Sequence, residues 1–137
     1  MAETTTNRGK YRTLAALMVA SDLRMLVILG TQTGVNNADL STVADLDAVT
    51  GVSIHTERIA LTSEAVTQDD ANDRAALDPA AVSFAAAPGV TAQGVAIYDE
   101  GTGADSGRDL ISVHTTGFPA VMDGGLNVGI ADLLRAT

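Results

Sequence analysis

The stretch Leu23-Arg24-Met25-Leu26-Val27-Ile28-Leu29 decides the fold. Arg24 is its one polar residue, and the run stops at Gly30-Thr31-Gln32. A strand with one wet face alternates apolar and polar residues, whereas an unbroken apolar run marks a strand covered on both faces, central in a sheet or sandwich. A helix needs about 20 apolar residues to cross a bilayer, so this run is no membrane span.

On its N-terminal side, Tyr11, Leu14, Leu17 and Met18 recur at near-helical spacing with Ala15 and Ala16 between them, which predicts a short helix over 10–20. Residues 1–9 are polar, Thr-rich and without hydrophobic period, and read as a flexible arm that a partner would order. On its C-terminal side, Asp39 to Val49 fits a helix of one or two turns capped by Ser41, with Leu40, Val43, Ala44 and Leu46 inward. From Val52 to Val66 the β-branched residues Val52, Ile54, Thr56, Ile59, Thr62 and Val66 favour one long or bent strand. Gln68 to Asp73 reads as a polar loop.

Beyond it, turn signals fall every 8 to 15 residues. Asp78-Pro79 leads into Ala81 to Ala85, and Pro88-Gly89 into Gly94 to Tyr98, which reads as a hairpin. The Gly-rich stretch 99–109 leads into Leu110 to His114 as a second hairpin with a solvated tip, and Leu126 to Ile130 forms a last strand before the tail Asp132-Leu133-Leu134-Arg135. The expected architecture is mainly β, a β-rich α+β fold: a small antiparallel β-sandwich or barrel with one or two short helices and an extended N-terminal arm. With 137 residues and 46% hydrophobic content, the chain suits a single domain over 10–137 with its own core.

Composition narrows function. Without Cys there are no disulfides, thiolate metal sites or cysteine nucleophiles. Net charge is −9, unevenly spread: four basic and two acidic residues fall within 1–24, and four basic and fifteen acidic ones follow. An acidic body disfavours the phosphate contacts of nucleic-acid binding and the surface of anionic lipids, and residues 1–7 lack the pattern of a secretory signal, leaving cytoplasmic synthesis as the expectation.

No constellation converges on catalysis. His55 and His114 both sit in expected strands beside Thr, and read as ordinary sheet or loop histidines rather than bases or ligands. Ser112, His114 and Asp109 make a triad on paper only, since the Gly-x-Ser-x-Gly elbow is missing. Asp69 to Asp73 lacks the register of a calcium loop, with Arg74 intruding, and the Gly-rich acidic stretch 99–107 is neither a phosphate loop nor a dinucleotide fingerprint. The chain is expected to be no enzyme, with no cofactor, metal site or small-molecule substrate. A glycan- or host-surface-binding module is a remote alternative, because only Tyr11, Tyr98, Phe84 and Phe118 could serve as aromatic platforms.

Gly94-Val95-Ala96-Ile97-Tyr98-Asp99, the polar tip, Arg108-Asp109-Leu110-Ile111-Ser112, Thr116-Gly117-Phe118-Pro119 and Asp123-Gly124-Gly125-Leu126-Asn127-Val128 form a further pattern. It resembles small virion proteins of tailed bacteriophages, of the minor-capsid or head-decoration kind. The resemblance covers about two-thirds of the chain, densest from Ala81 to Ile130, as an apolar-and-turn pattern without a catalytic signature. It implies a structural protein added to the major capsid lattice in the virion after synthesis in the host cytoplasm, with the major capsid protein and copies of itself, commonly trimers, as partners. A head–tail connector or tail protein is the alternative. The basic start gives the expected contact residues: Arg8, Lys10, Tyr11 and Arg12.

Overall fold

In this computed structural model the described residues are 6–20, 22–62, 65–78, 80–129 and 134–136. Residues 1–5 of the arm expected over 1–9, Ile130, and Asp132 and Leu133 of the expected tail lie outside them. The fold is β-rich α+β, with antiparallel sheets. The chain groups into two compact units: one draws on Met1–Ser21, Leu61–Ala81 and Gly129–Thr137, the other on Asp22–Ala60 and Val82–Val128.

The first unit is a helix on a three-stranded sheet. Helix α1 spans Asn7–Ala20 and starts three residues before the expected residue 10. The reason is a cap: the Thr6 side chain accepts from Gly9 N at 3.1 Å while its carbonyl accepts from Lys10 N at 2.9 Å, supplying the partners that a first turn lacks. Strands β3 (Ala65–Asp69), β4 (Arg74–Asp78) and β10 (Leu134–Ala136) form the sheet in the order β10-β4-β3, and α1 packs across it. Leu14 on the helix and Ala75, Ala76 and Leu77 on β4 are buried. The polar loop expected over 68–73 is instead a tight hairpin: β3 ends at Asp69, a single 3₁₀ turn covers Asp70–Asn72, and Asp73 sits in the left-handed region at φ 51.

The second unit is built on the quoted stretch. Strand β1 (Leu23–Leu29) lies between β2 (Ser53–Ala60) and β6 (Thr91–Asp99), central as expected, and β7 (Leu110–His114) pairs with β6 to give the order β2-β1-β6-β7. The short β8 (Ala120–Val121) also pairs with β6. Leu26, Ile28, Ala96 and Tyr98 bury one face of this sheet with Val35, Val43 and Leu46, and Met25, Val27, Val95 and Ile97, which alternate with them, are buried as well. Helix α2 (Val43–Asp47) closes the first of these clusters. Its cap is Thr42 rather than Ser41, because the acid that completes the capping box stands three positions on: Asp45 N donates to Thr42 Oγ1 at 3.2 Å and Asp45 Oδ2 accepts from Thr42 N at 3.0 Å.

Two strand expectations are corrected. The apolar series from Val52 to Val66 splits into β2 and β3, which belong to different sheets. Strand β5 (Val82–Phe84) does not pair with β6 as the first expected hairpin required; it pairs with β9 (Leu126–Val128), Phe84 opposite Leu126. The second hairpin, β6 with β7, forms as read.

Candidate functional site

The β6–β7 connection is folded rather than a loose solvated tip. Gly101 turns at φ 51, and a Cβ there would collide with the Gly107 carbonyl oxygen, so no other residue fits without moving the loop. A 3₁₀ turn over Asp105–Gly107 presents Asp105 to two arginines. Arg58 Nη1 from β2 donates to Asp105 Oδ1 at 2.8 Å, and Arg108 Nη1 donates to the same oxygen at 2.6 Å. Arg108 also grips Glu100 with both Nη2 (2.7 Å) and Nε (3.2 Å), and Arg24 reaches Glu100 at 3.6 Å and Asp22 at 3.0 Å. Three cations and three carboxylates thus close a network that joins β1, β2 and the loop.

Tyr98 forms its floor. The ring is fully buried, with the Arg58 and Arg108 guanidiniums 5.6 and 5.7 Å from its centroid. Its hydroxyl is buried near Arg58 and Glu100 without a hydrogen bond of normal geometry, and burial pushes the phenol above its usual range. The Arg58 hydrogen bond holds the Asp105 carboxyl below its usual value, and Arg108 does the same for Glu100.

Beside the network, β7 is the edge of its sheet. Asp109 O accepts from Asp99 N on β6, while Leu110 N turns the other way and donates to Ser41 O at 3.0 Å. Beyond that bond the chain segments diverge into a cleft of about 410 Å³, with Val35, Asn36 and Leu40 on one wall and Leu110, Ile111 and Val113 on the other. Asn36 Nδ2 donates to Thr115 Oγ1 at 2.9 Å, tying the segment back to the far end of β7.

Ser112 and His114 project from one face of β7, and Ser112 Oγ lies 3.0 Å from His114 Nε2. Burial lowers the His114 pKa from its usual 6.5, which keeps the ring neutral. Asp109 does not join them: it lies five positions before His114, about 16 Å at the rise of a strand, and its side chain is exposed. Nδ1 of His55 accepts from Glu57 N at 3.1 Å within β2. The acidic turn at 69–73 turns its side chains on itself: Asp69 accepts from Asn72 and pairs with Arg74, and Asp70 accepts from Gln68 and Asn7. Among the described residues no three His, Asp or Glu side chains gather as metal ligands, and no helix is long and apolar enough to cross a membrane.

The expected contact residues lie on α1 in unlike settings. Lys10 Nζ donates to the Asp73 carbonyl and Asn7 donates to Asp70 at 3.1 Å, so this end of the helix neutralises the acidic turn of its own unit. Arg8 stacks on the half-buried Tyr11 at 4.7 Å, and Arg12 is exposed. Sequence reasoning missed the Arg58–Asp105–Arg108 network, because the partners come from elements 47 positions apart. Comparison with protein-family models, with curated proteins and with solved structures found no match to this chain.

Proposed function

We propose that this chain is a non-enzymatic structural protein of a bacteriophage virion, which binds the major capsid lattice as a decoration or minor capsid protein. The observation that supports the reading is where the head-protein-like sequence pattern falls. Gly94–Asp99, Arg108–Ser112 and Asp123–Val128 become β6, the network loop with β7, and β9, all within one compact unit. The pattern therefore coincides with one folded substructure rather than with scattered turns. That unit carries an open strand edge and a latched loop, features suited to holding a protein surface. Arg8 and Arg12, exposed on α1, remain as outward cations for a capsid contact, whereas Lys10 is engaged within its own unit. Co-sedimentation of the purified protein with empty capsids tests the reading. Saturable binding with a fixed ratio to the major capsid protein is expected, and a protein left wholly in the supernatant contradicts it.

A further inference from the structure

The edge of β7 and the cleft beside it form a binding slot. Asp99 N donates to Asp109 O, so Asp99 and, by alternation, Ile97 face β7, and Ser112 opposite Ile97 faces β6; the register shift at Ile111 leaves Leu110 and Val113 turned outward. Val113, opposite Ala96, thus directs its N–H and C=O away from β6 on the free side of the strand. Among the described residues no strand pairs with that side of β7, and the Ser41 to Val43 segment covers it only as far as Leu110. Edge strands are ordinarily blunted by Lys, Pro or a covering element. Residues 111–113 carry no Lys, Pro or cover, only the irregularity at Ile111, and are half-buried in a cleft with room for added chain.

Charge selects the occupant. The exposed Asp39 and Asp109 stand next in sequence to the cleft residues Leu40 and Leu110, and among the described residues neither carboxylate has a hydrogen-bond or ion-pair partner. The nearest cation in sequence, Arg108, is consumed by Glu100 and Asp105. The walls contribute apolar Val35, Leu40 and Val113 and the amide of Asn36. We infer that this slot captures an extended, basic segment of a partner protein, which adds as a strand to β7, sets alternate apolar side chains into the cleft and brings lysine or arginine to Asp39 and Asp109.

This names the partner chemistry of the structural-protein reading and rests on it only for the partner being a protein. A chain absent from virions with a working slot sinks that reading alone, and a virion chain with an inert slot sinks this one alone. The test uses the full chain and three synthetic peptides: alternating valine and lysine, alternating valine and glutamate, and the lysine peptide N-methylated at alternate residues. Amide resonances followed by NMR should move at 110–114 and 35–40 with the lysine peptide. Its affinity should exceed that of the glutamate peptide by roughly tenfold or more at low salt, and N-methylation should abolish binding. The double variant Asp39→Asn, Asp109→Asn, at exposed positions that leave melting unchanged, should remove most of the preference for lysine. No binding of the lysine peptide, equal binding of the glutamate or N-methylated peptides, or resonance shifts confined to other residues would each overturn the inference.

Discussion

Arg58 on β2 and Asp105 in the β6–β7 loop lie 2.8 Å apart, and that ion pair fastens the loop to the far side of the sheet, across β1 and β6. Asp105→Asn should loosen the loop and leave Arg58 and Arg108 facing each other over Tyr98. A loss of about 1–2 kcal/mol is expected, the usual range for a charged hydrogen bond that is partly exposed. A double-mutant cycle with Arg58→Met checks it by chemical denaturation: a coupling near zero would mean that the pair is ornamental. Insertion of several residues between Gly101 and Gly107, harmless in a solvated tip, should cost as much as the Asn variant.

Acid should weaken the protein in two separate windows. His114 titrates below its usual 6.5 because burial disfavours the imidazolium, so the unfolded chain takes up the proton first. Stability is complete above pH 6.5 and falls as pH drops toward the folded value. Asp105 and Glu100 titrate below their usual 3.8 and 4.5, held down by Arg58 and Arg108 respectively, so their contribution is complete above about pH 4.5 and lost below it. Urea midpoints measured between pH 8 and pH 3 should show both declines. His114→Gln should erase the upper one and spare the lower, and an unchanged upper decline would assign it elsewhere.

The first turn of α1 belongs to the fold, not to a free arm. Thr6→Ala removes the cap on Gly9 N and should cost about 1 kcal/mol. Arg12→Ser, at an exposed position, should leave the melting temperature unchanged. Equal melting of the Thr6 variant and the parent would return this turn to the arm.

At the centre of the sheet, Ile97→Asp puts an unpaired carboxylate where the side chain is fully buried, and loss of more than about 3 kcal/mol is expected. Val121→Asp, at the exposed apolar position on β8, should change stability by less than about 0.5 kcal/mol. Thermal melting of the two variants side by side separates a core position from a surface one.

What the sequence made legible follows the range of the forces involved. β1 and the β6–β7 hairpin declared themselves because an apolar run, a glycine-rich turn and close sequence neighbours suffice to define them. The capping box of α2 lies in the spacing of Thr42 and Asp45, but Ser41, one position earlier, is an equally good cap by residue type alone. The partner of β5 was not legible, since β9 lies more than 40 positions downstream and no local pattern distinguishes it from β6. The β3–β4 hairpin was hidden because its inward residues, Ala75 and Ala76, are small and its turn is acidic. For the same reason of range, Ser112 and His114 were found together, two residues apart on one strand face, while the Arg58–Asp105 pair needed the folded sheet.

Under the proposed function the protein belongs to a virion. If the chain is the virion protein proposed here, quantitative mass spectrometry of purified virions, with copy number set against the major capsid protein, measures that place directly. A copy number at a simple fraction of the capsid lattice is the expected result. A dozen copies or fewer would move the protein to a head–tail ring, and its absence from purified particles would contradict the account.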